Sequence, residues 1–471
     1  MNADKKILNL RLSAFICGLI ALVSYFWFPG HTWLQQDSQI YVAILEHQRD
    51  NSVLRNDPVA QEPHTSYTLW DETALALNRF TGLSFHDVLA AEQIATRALG
   101  IFGLYLIATA AGLSAGPAWL VAMIVSLGAR VTGPEVLTFE YEPTPRAFAI
   151  PLVIFAIGLA AHRRPMAAAV AGACAFLFHP PAALPFWAVF AAMNFRRWKL
   201  VLPLAAAVGL LLLTRGRDHQ AFFGRLTAMD LHLMRLRTAY VFVSSWPADV
   251  LRNHAVVAAV LAAAWLRVRG HALLMGLAAI GLLSVPISWL LLERANLRLI
   301  PELQPMRWLL FAWLAMQLMT AIAGARAAGK RRWVEALAWF AIALAPSLVP
   351  VLEGVVNYPK LHSPELARLS EWARTSTPRD AIFLFSEAGH STVPGIFRVE
   401  AQRALYVDWK SGGQMVYLPD FGSQWWYRWQ QTQTFDLAKY DALGIGYVAV
   451  KRGGDYVVYD TRTGGVANQP R

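Results

Sequence analysis

Apolar residues in this chain come in blocks, and polar residues fill the gaps between them. Eleven blocks stand out, at 12–28, 94–114, 117–131, 147–161, 166–178, 182–194, 200–214, 252–266, 271–291, 306–325 and 333–352. A helix that crosses a bilayer needs about 20 apolar residues, with roughly 17–25 tolerated. The pattern predicts a polytopic α-helical membrane protein with about 11 spans. The first block ends in Phe26–Trp27–Phe28–Pro29 rather than a small-residue cleavage site, so it reads as an uncleaved span.

The gaps alternate in charge. Lys5, Lys6 and Arg11, then Arg163 and Arg164, then Arg196, Arg197 and Lys199, then Arg267 and Arg269, and finally Arg326, Lys330, Arg331 and Arg332 follow even numbers of spans. Short basic loops stay on the cytoplasmic side. The expected topology is multi-pass in the inner (plasma) membrane, N-terminus cytoplasmic and C-terminus extracytoplasmic. Outer loops then cover 29–93, 132–146 and 215–251. The division expected is a transmembrane domain, 1–352, and an extracytoplasmic domain, 353–471. Loop 215–251 is an exception, because Arg215, Arg217, Arg225, Arg235 and Arg237 lie outside. There Phe222, Leu226, Met229, Leu233, Leu236 and Tyr240 recur at helical spacing, which predicts a basic amphipathic helix on the membrane surface. Its arginines would meet lipid headgroups or a lipid-linked phosphate, or simply anchor the helix. A further short helix is expected over Asp71–Phe80.

Past residue 353 the periods mix. Ser363–Pro364 opens a helix to Arg374 as N-cap and first helical residue. Ala381–Ser386 and Ala404–Val407 read as strands, Gly422–Gln431 as a Trp-rich helix. Gly446–Lys451 and Tyr456–Asp460 read as a hairpin about Gly453–Gly454. This predicts a small α/β domain.

Composition agrees. The chain is 56% hydrophobic and 15% charged, below the roughly 25% charged of soluble domains. The net charge of +11 is what basic cytoplasmic loops produce, so nucleic acid is not implied as a partner. The two cysteines, Cys17 and Cys174, sit in apolar blocks and make no disulfide framework.

Candidate chemistry gathers on the outer side. Asp37 follows the first span and shares a helical face with Tyr41. A carboxylate at a low-dielectric boundary can have its pKa raised toward that of a base. The second loop holds Glu140 and Glu142 two residues apart, ahead of Arg146; in extended chain they point the same way. Such a pair can hold a divalent metal ion or share a proton. His179, in Phe178–His179–Pro180–Pro181, can bind substrate or act as acid or base. Arg298 precedes a late span and Arg307 enters it, and arginine grips phosphate bidentately.

Taken together, Asp37-x-x-x-Tyr41, an acidic second loop, Arg307 opening a late span and an outer α/β domain resemble the GT-C superfamily of integral-membrane glycosyltransferases. Thr377–Pro378–Arg379–Asp380–Ala381, Phe397–Arg398, Gln402–Lys410 and Trp425–Trp426–Tyr427–Arg428 resemble an uncharacterised bacterial GT-C-like family. The resemblance implies an extracytoplasmic transferase that moves sugar from a polyprenyl-phosphate-linked donor to an acceptor glycan, lipid or protein. Asp37 would be the base, Glu140 and Glu142 the acidic pair that binds metal in some members, and Arg298 or Arg307 the donor phosphate's ligand. Tyr41, Arg146 and His179 would contact substrate, among membrane lipids. One departure is the single Asp where many members have a pair. Asp408–Lys410 has no role derivable from sequence. Two other readings remain open: a lipid or glycan transporter or scaffold, and a polymerase or ligase of lipid-linked glycans. A transporter would keep its ionisable residues near mid-span.

Overall fold

The computed structural model describes residues 3–61, 68–214, 223–269, 271–350 and 358–467. Arg215, Arg217, Phe222 and the expected domain boundary at 352/353 lie outside the described residues. The helical part runs α1 (Ala3–Phe26), α2 (Ser38–Arg49), α3 (Trp70–Thr81), α4 (Phe85–Ala110), α5 (Ala115–Ser126), α6 (Pro145–Ala161), α7 (Pro165–Phe178) and α8 (Pro180–Met193). It continues with α9 (Leu202–Thr214), α10 (Ala228–Arg237), α11 (Ala248–Val268), α12 (Ala272–Ser288), α13 (Leu299–Leu303), α14 (Leu310–Gly329) and α15 (Trp333–Pro350). Every apolar block carries one of these helices. Four stretches, Phe85–Ala110, Ala248–Val268, Ala272–Arg294 and Leu299–Gly329, are long and apolar enough to cross a membrane; the other apolar helices are shorter. The chain is a mostly helical membrane protein.

Proline sets where several of these helices start. Pro145, Pro165 and Pro180 occupy first-turn positions, where the missing N–H costs nothing. Helices α4 and α6 pack closely: a side chain on Gly158 would run into the backbone of Gly103. Small residues let membrane helices approach backbone to backbone.

The two ends of the bundle differ in chemistry. At one end Arg326 donates to the carbonyls of Arg267 (3.2 Å) and Ala111 (2.5 Å), Arg267 pairs with Glu335 at 3.6 Å, and Thr109 meets His162 at 3.1 Å. These are the short basic loops. At the other end lie the first residues of α2, the turn before α6 and the turn before α14. Helix α6 alone, at 17 residues, separates the ends by about 25 Å.

The C-terminal part holds α16 (Pro364–Ser376), β3 (Ile382–Phe385), α17 (Val393–Ala401), β4 (Ala404–Leu405), α18 (Pro419–Gln431), α19 (Leu437–Ala442), β5 (Tyr447–Arg452) and β6 (Asp455–Asp460). A short hairpin, β1 (Arg130–Val131) with β2 (Val136–Leu137), lies in the second loop. The sheet order is β4-β3-β5-β6, with β3 parallel to β4 and β5, and β5 antiparallel to β6. Alternation along β3 divides its two faces. Phe383 and Phe385 pack with α16 and α17, and Leu384 packs toward α18 and α19. Helices α2 and α3 join the first face. Leu34, Val42, Leu45 and Trp70 share a core with Leu366, Trp372, Phe397 and Leu405. The first loop is therefore built into the α/β unit. A side chain on Gly395 of α17 would collide with Gln39 of α2, which shows how closely those helices meet.

Two expectations change. The helix of the third loop is shorter than the stripe over 222–240 suggests. Thr227 and Asp230 form a reciprocal capping box that starts α10 at Ala228, and it ends at Arg237. Its stripe is also split: Leu226 and Leu233 are buried, and Met229 and Leu236 are exposed. Arg237, expected at the surface, points inward. By contrast, α3 closely follows the expected Asp71–Phe80 and stops at Gly82, whose φ of 71° suits glycine.

Candidate active site

The site begins with a capping problem. The first turn of a helix leaves N–H groups without intrahelical partners. At α2 the acceptor comes from a different loop. The Glu142 carboxylate accepts from the N–H of Gln36 (2.8 Å), the N–H of Asp37 (3.0 Å) and the Ser38 hydroxyl (2.5 Å). This fixes Asp37 at the α2 N-terminus, where the helix dipole favours a carboxylate. Burial first, then the charge of Asp37, pushes the Glu142 pKa up.

Lys410 reaches Asp37 from the α/β unit. Its ammonium lies 2.7 Å from Asp37 Oδ1 and 3.2 Å from Gln36 Oε1. Two devices hold it there. Arg237 of α10 donates to the carbonyls of Trp409 (2.6 Å) and Lys410 (3.1 Å). Beneath them lies a buried triad. Arg398 donates to Asp57 (2.8 Å) and pairs with Asp408, and all three side chains are no more than 1% exposed. Asp57 also accepts from the N–H of Leu405 at 2.9 Å, and Asp408 from that of Ser411 at 2.8 Å. The triad thus ties the first loop, α17 and the Lys410 segment together.

Asp37, Glu140, Glu142, Arg146, Arg237, Arg307 and Lys410 line one cavity of about 560 Å³. Arg146 pairs with Glu140 at 2.7 Å. Arg307 donates to the Pro134 carbonyl at 3.3 Å and lies over the Tyr240 ring at 5.1 Å. Counting Arg130 and Glu135, which pair at 2.8 Å, the lining holds five cations and four acids. Three cation–acid pairs cancel; Glu142, the acid left over, is met by three first-loop donors, while Arg237 and Arg307 meet backbone carbonyls, which leave their charge in place. The cavity is therefore suited to an anion near Arg307, with a carboxylate, Asp37, within it.

Electrostatics reverse one expectation. Burial does raise the Asp37 pKa, but Lys410, and then Arg146 and Arg307, outweigh it and hold the carboxyl well below the ordinary range. Burial near a membrane boundary is local to Asp37, whereas the cations that outweigh it come from distant parts of the chain. Asp37 is ionised at neutral pH.

His179 changes role as well. It lines a smaller hollow beside the cavity, together with Leu303, Trp308 and Leu310, and Arg146 and Arg307 border both spaces. Its ring nitrogen caps α8 by accepting from the Ala182 N–H at 3.1 Å. Burial, reinforced by Arg146 and Arg307, holds its pKa down at about 3. A neutral ring with its lone pair occupied is a helix cap, not the acid or base near pH 7 that the sequence suggests.

Two further candidates lie off the cavity lining. Tyr41 sits one turn along α2, tilted against Trp70 with ring centres 5.4 Å apart, and burial pushes its pKa up. Arg298 lies before α13, where its N–H donates to the Gly224 carbonyl at 3.1 Å.

Glu140 and Glu142 both reach the cavity, but their oxygens do not fit a divalent ion. Those of Glu142 face three donors from the first loop, and Glu140 is held by Arg146. Among the described residues no group of three or more candidate ligands gathers. The sequence pattern gave no site role to Lys410 or to the Asp57–Arg398–Asp408 triad, and it placed Arg237 on the membrane surface rather than in the cavity. Their pairings join segments far apart in the chain, which no local pattern announces.

A domain of unknown function, DUF6798, matches residues 364–432, from α16 through α18, a span that includes Arg398, Asp408 and Lys410. No curated protein matches the chain. Among solved structures, the Archaeoglobus fulgidus oligosaccharyltransferase tethered with an acceptor peptide containing the NVT sequon is similar over 98% of this chain and 74% of its own, at 11% identity and a TM-score of 0.45.

Proposed function

We propose that the chain is a membrane glycosyltransferase that takes sugar from a polyprenyl-phosphate-linked donor and gives it to an acceptor hydroxyl on the extracytoplasmic face. The observation that carries this reading is the meeting of Asp37, Arg146, Arg307 and Lys410 around one cavity. The basic loops at the opposite end of the bundle support an extracytoplasmic site.

In this reading Arg146 and Arg307 hold the donor phosphate through charge-assisted hydrogen bonds. The hollow lined by Leu303, Trp308 and Leu310 takes the start of the lipid chain, and the polar cavity takes the sugar. The acceptor oxygen attacks the anomeric carbon, the bond from that carbon to the phosphate oxygen breaks, and the phosphate leaves with the electron pair. The acceptor proton passes to Asp37. A low pKa makes Asp37 a weak base, yet two features offset this. The oxocarbenium character of glycosyl transfer lets the acceptor lose its proton late. The incoming phosphate also competes for Lys410, and a carboxylate with less of its counter-charge is a stronger base.

The test is native mass spectrometry of the purified protein with polyprenyl phosphate. The wild type should bind one molecule, and Arg307→Ala should weaken binding about 10–100-fold, the worth of a charged hydrogen bond of roughly 1.5–3 kcal/mol. Equal binding of a polyprenol without phosphate would remove the donor assignment.

A further inference from the structure

A second crevice opens in the α/β unit, outside the cavity of Asp37. It lies at the carboxyl ends of β3 and β4, two adjacent parallel strands. Strand β3 leads into α17 on one face of the sheet, and β4 leads toward α18 on the other. Where neighbouring parallel strands part to opposite faces, their loops separate and leave a crevice, which is where open α/β sheets bind ligands.

The lining defines the ligand's chemistry. Trp409 and Trp429 form one wall, with ring centres 5.1 Å apart at 60°. His390 covers one side of Trp409 at 3.8 Å, and Trp429, stacked on Trp425 at 6.0 Å, is left half-buried at the crevice. Ser386, at the end of β3, has a buried hydroxyl oxygen with no hydrogen-bond partner among the described residues. Buried polar atoms without partners are rare and call for an explanation such as a ligand or water. Gln433 adds an amide, whose nitrogen donates to the Trp429 carbonyl at 2.7 Å and whose oxygen can accept. Among the described residues no Lys or Arg lines the crevice, and the one acid there, Asp408, is occupied by Arg398 and the Ser411 N–H. An anion finds no counter-charge there, and a cation finds no free carboxylate. A neutral ring with one apolar face and a hydroxyl edge matches the wall, the hydroxyl and the amide. The crevice holds about 50 Å³, so it grips the edge of a ring and does not enclose it.

We propose that this crevice is a binding site for a neutral carbohydrate ring, stacked on Trp429 and hydrogen-bonded to Ser386 and Gln433. It does not rest on the transferase reading, since it uses none of the cavity residues. Its floor, Asp408–Trp409, is followed directly by Lys410, so an occupant sits beside the segment that holds Asp37.

The experiment uses the full chain in lipid nanodiscs, free of the sugar-headed detergents that would compete. Saturation-transfer NMR is recorded with methyl glucopyranosides, maltose, cellobiose and diacetylchitobiose. At least one of these should bind to the wild type. Trp429→Ala should lower the affinity about tenfold or more, Ser386→Ala should lower it less, and Trp429→Phe should keep most of it, which separates lost stacking from lost folding. Asp37→Asn should leave the binding unchanged. Absence of binding by all four probes, unchanged affinity in Trp429→Ala, or loss of binding in Asp37→Asn would overturn the proposal. Failure of sugar transfer would leave it standing.

Discussion

Lys410→Met is the most informative single change at the site. It removes the cation 2.7 Å from Asp37 and keeps a side chain of similar length. Two unit charges at that separation interact by roughly 1.5 kcal/mol in water and roughly 6 kcal/mol at an effective dielectric of 20. The Asp37 side chain is 37% exposed, so solvent screening keeps the value in the lower part of that range. About 2–3 kcal/mol is a reasonable size, equivalent to roughly two pKa units. With Lys410 gone, burial acts on Asp37 with less opposition, and the carboxyl titrates about two units higher. The sign for stability follows. A depressed folded pKa means that the pair stabilises the fold above the unfolded carboxylate value of about 3.9 and that this contribution is lost as pH falls through the lower folded value. Carbodiimide modifies protonated carboxyls, so the peptide bearing Asp37 can be followed by mass spectrometry from pH 3 to pH 8. Wild type should react only at the acid end, Lys410→Met should react at distinctly higher pH, and Lys410→Arg should resemble wild type. The same midpoint in Lys410→Met and wild type would show that Lys410 does not set the ionisation of Asp37.

Other consequences are separate. Arg398→Met strands two carboxylates in the interior and should destabilise the fold by about 3–5 kcal/mol; thermal unfolding in detergent should fall by several degrees, and much of the loss should return in Asp57→Asn/Arg398→Met/Asp408→Asn. Glu142→Gln places an amide where three donors converge, at a cost of roughly 1–3 kcal/mol; it should increase hydrogen exchange at the start of α2 while α6 keeps its protection. His179 is neutral across the working range because its folded pKa is about 3; any activity of the protein should keep the same pH profile between 5 and 8 in His179→Asn, and loss of an inflection near 6.5 would contradict the capping role.

Much of the scaffold was readable because it is encoded locally. Ser363–Pro364 announces α16, the short apolar run at 381–386 announces β3, and Gly453–Gly454 announces the turn between β5 and β6. Helix positions followed from the apolar blocks for the same reason. The third-loop helix misled because its stripe was continued past Thr227, where the capping box stops it. The site was readable only in part. Asp37, Glu140, Glu142, Arg146 and Arg307 could be grouped because the topology put their loops on one side. The partner of Asp37 could not, since Lys410 lies 373 residues away and arrives through a fold that joins α2 to α17. Arg398 was visible only as part of a short motif, because its role depends on two acids from separate segments. The direction of the Asp37 pKa shift was misjudged for the same reason, as burial can be guessed from a membrane boundary and a distant cation cannot.

Turnover tests the central claim most directly. The purified protein in nanodiscs is given a polyprenyl-phosphate-linked sugar together with candidate acceptors, and released polyprenyl phosphate is followed by mass spectrometry. The account predicts acceptor-dependent release by wild type and its loss in Asp37→Ala, with the variant still folded and still binding polyprenyl phosphate. Release that continues undiminished in Asp37→Ala would contradict it.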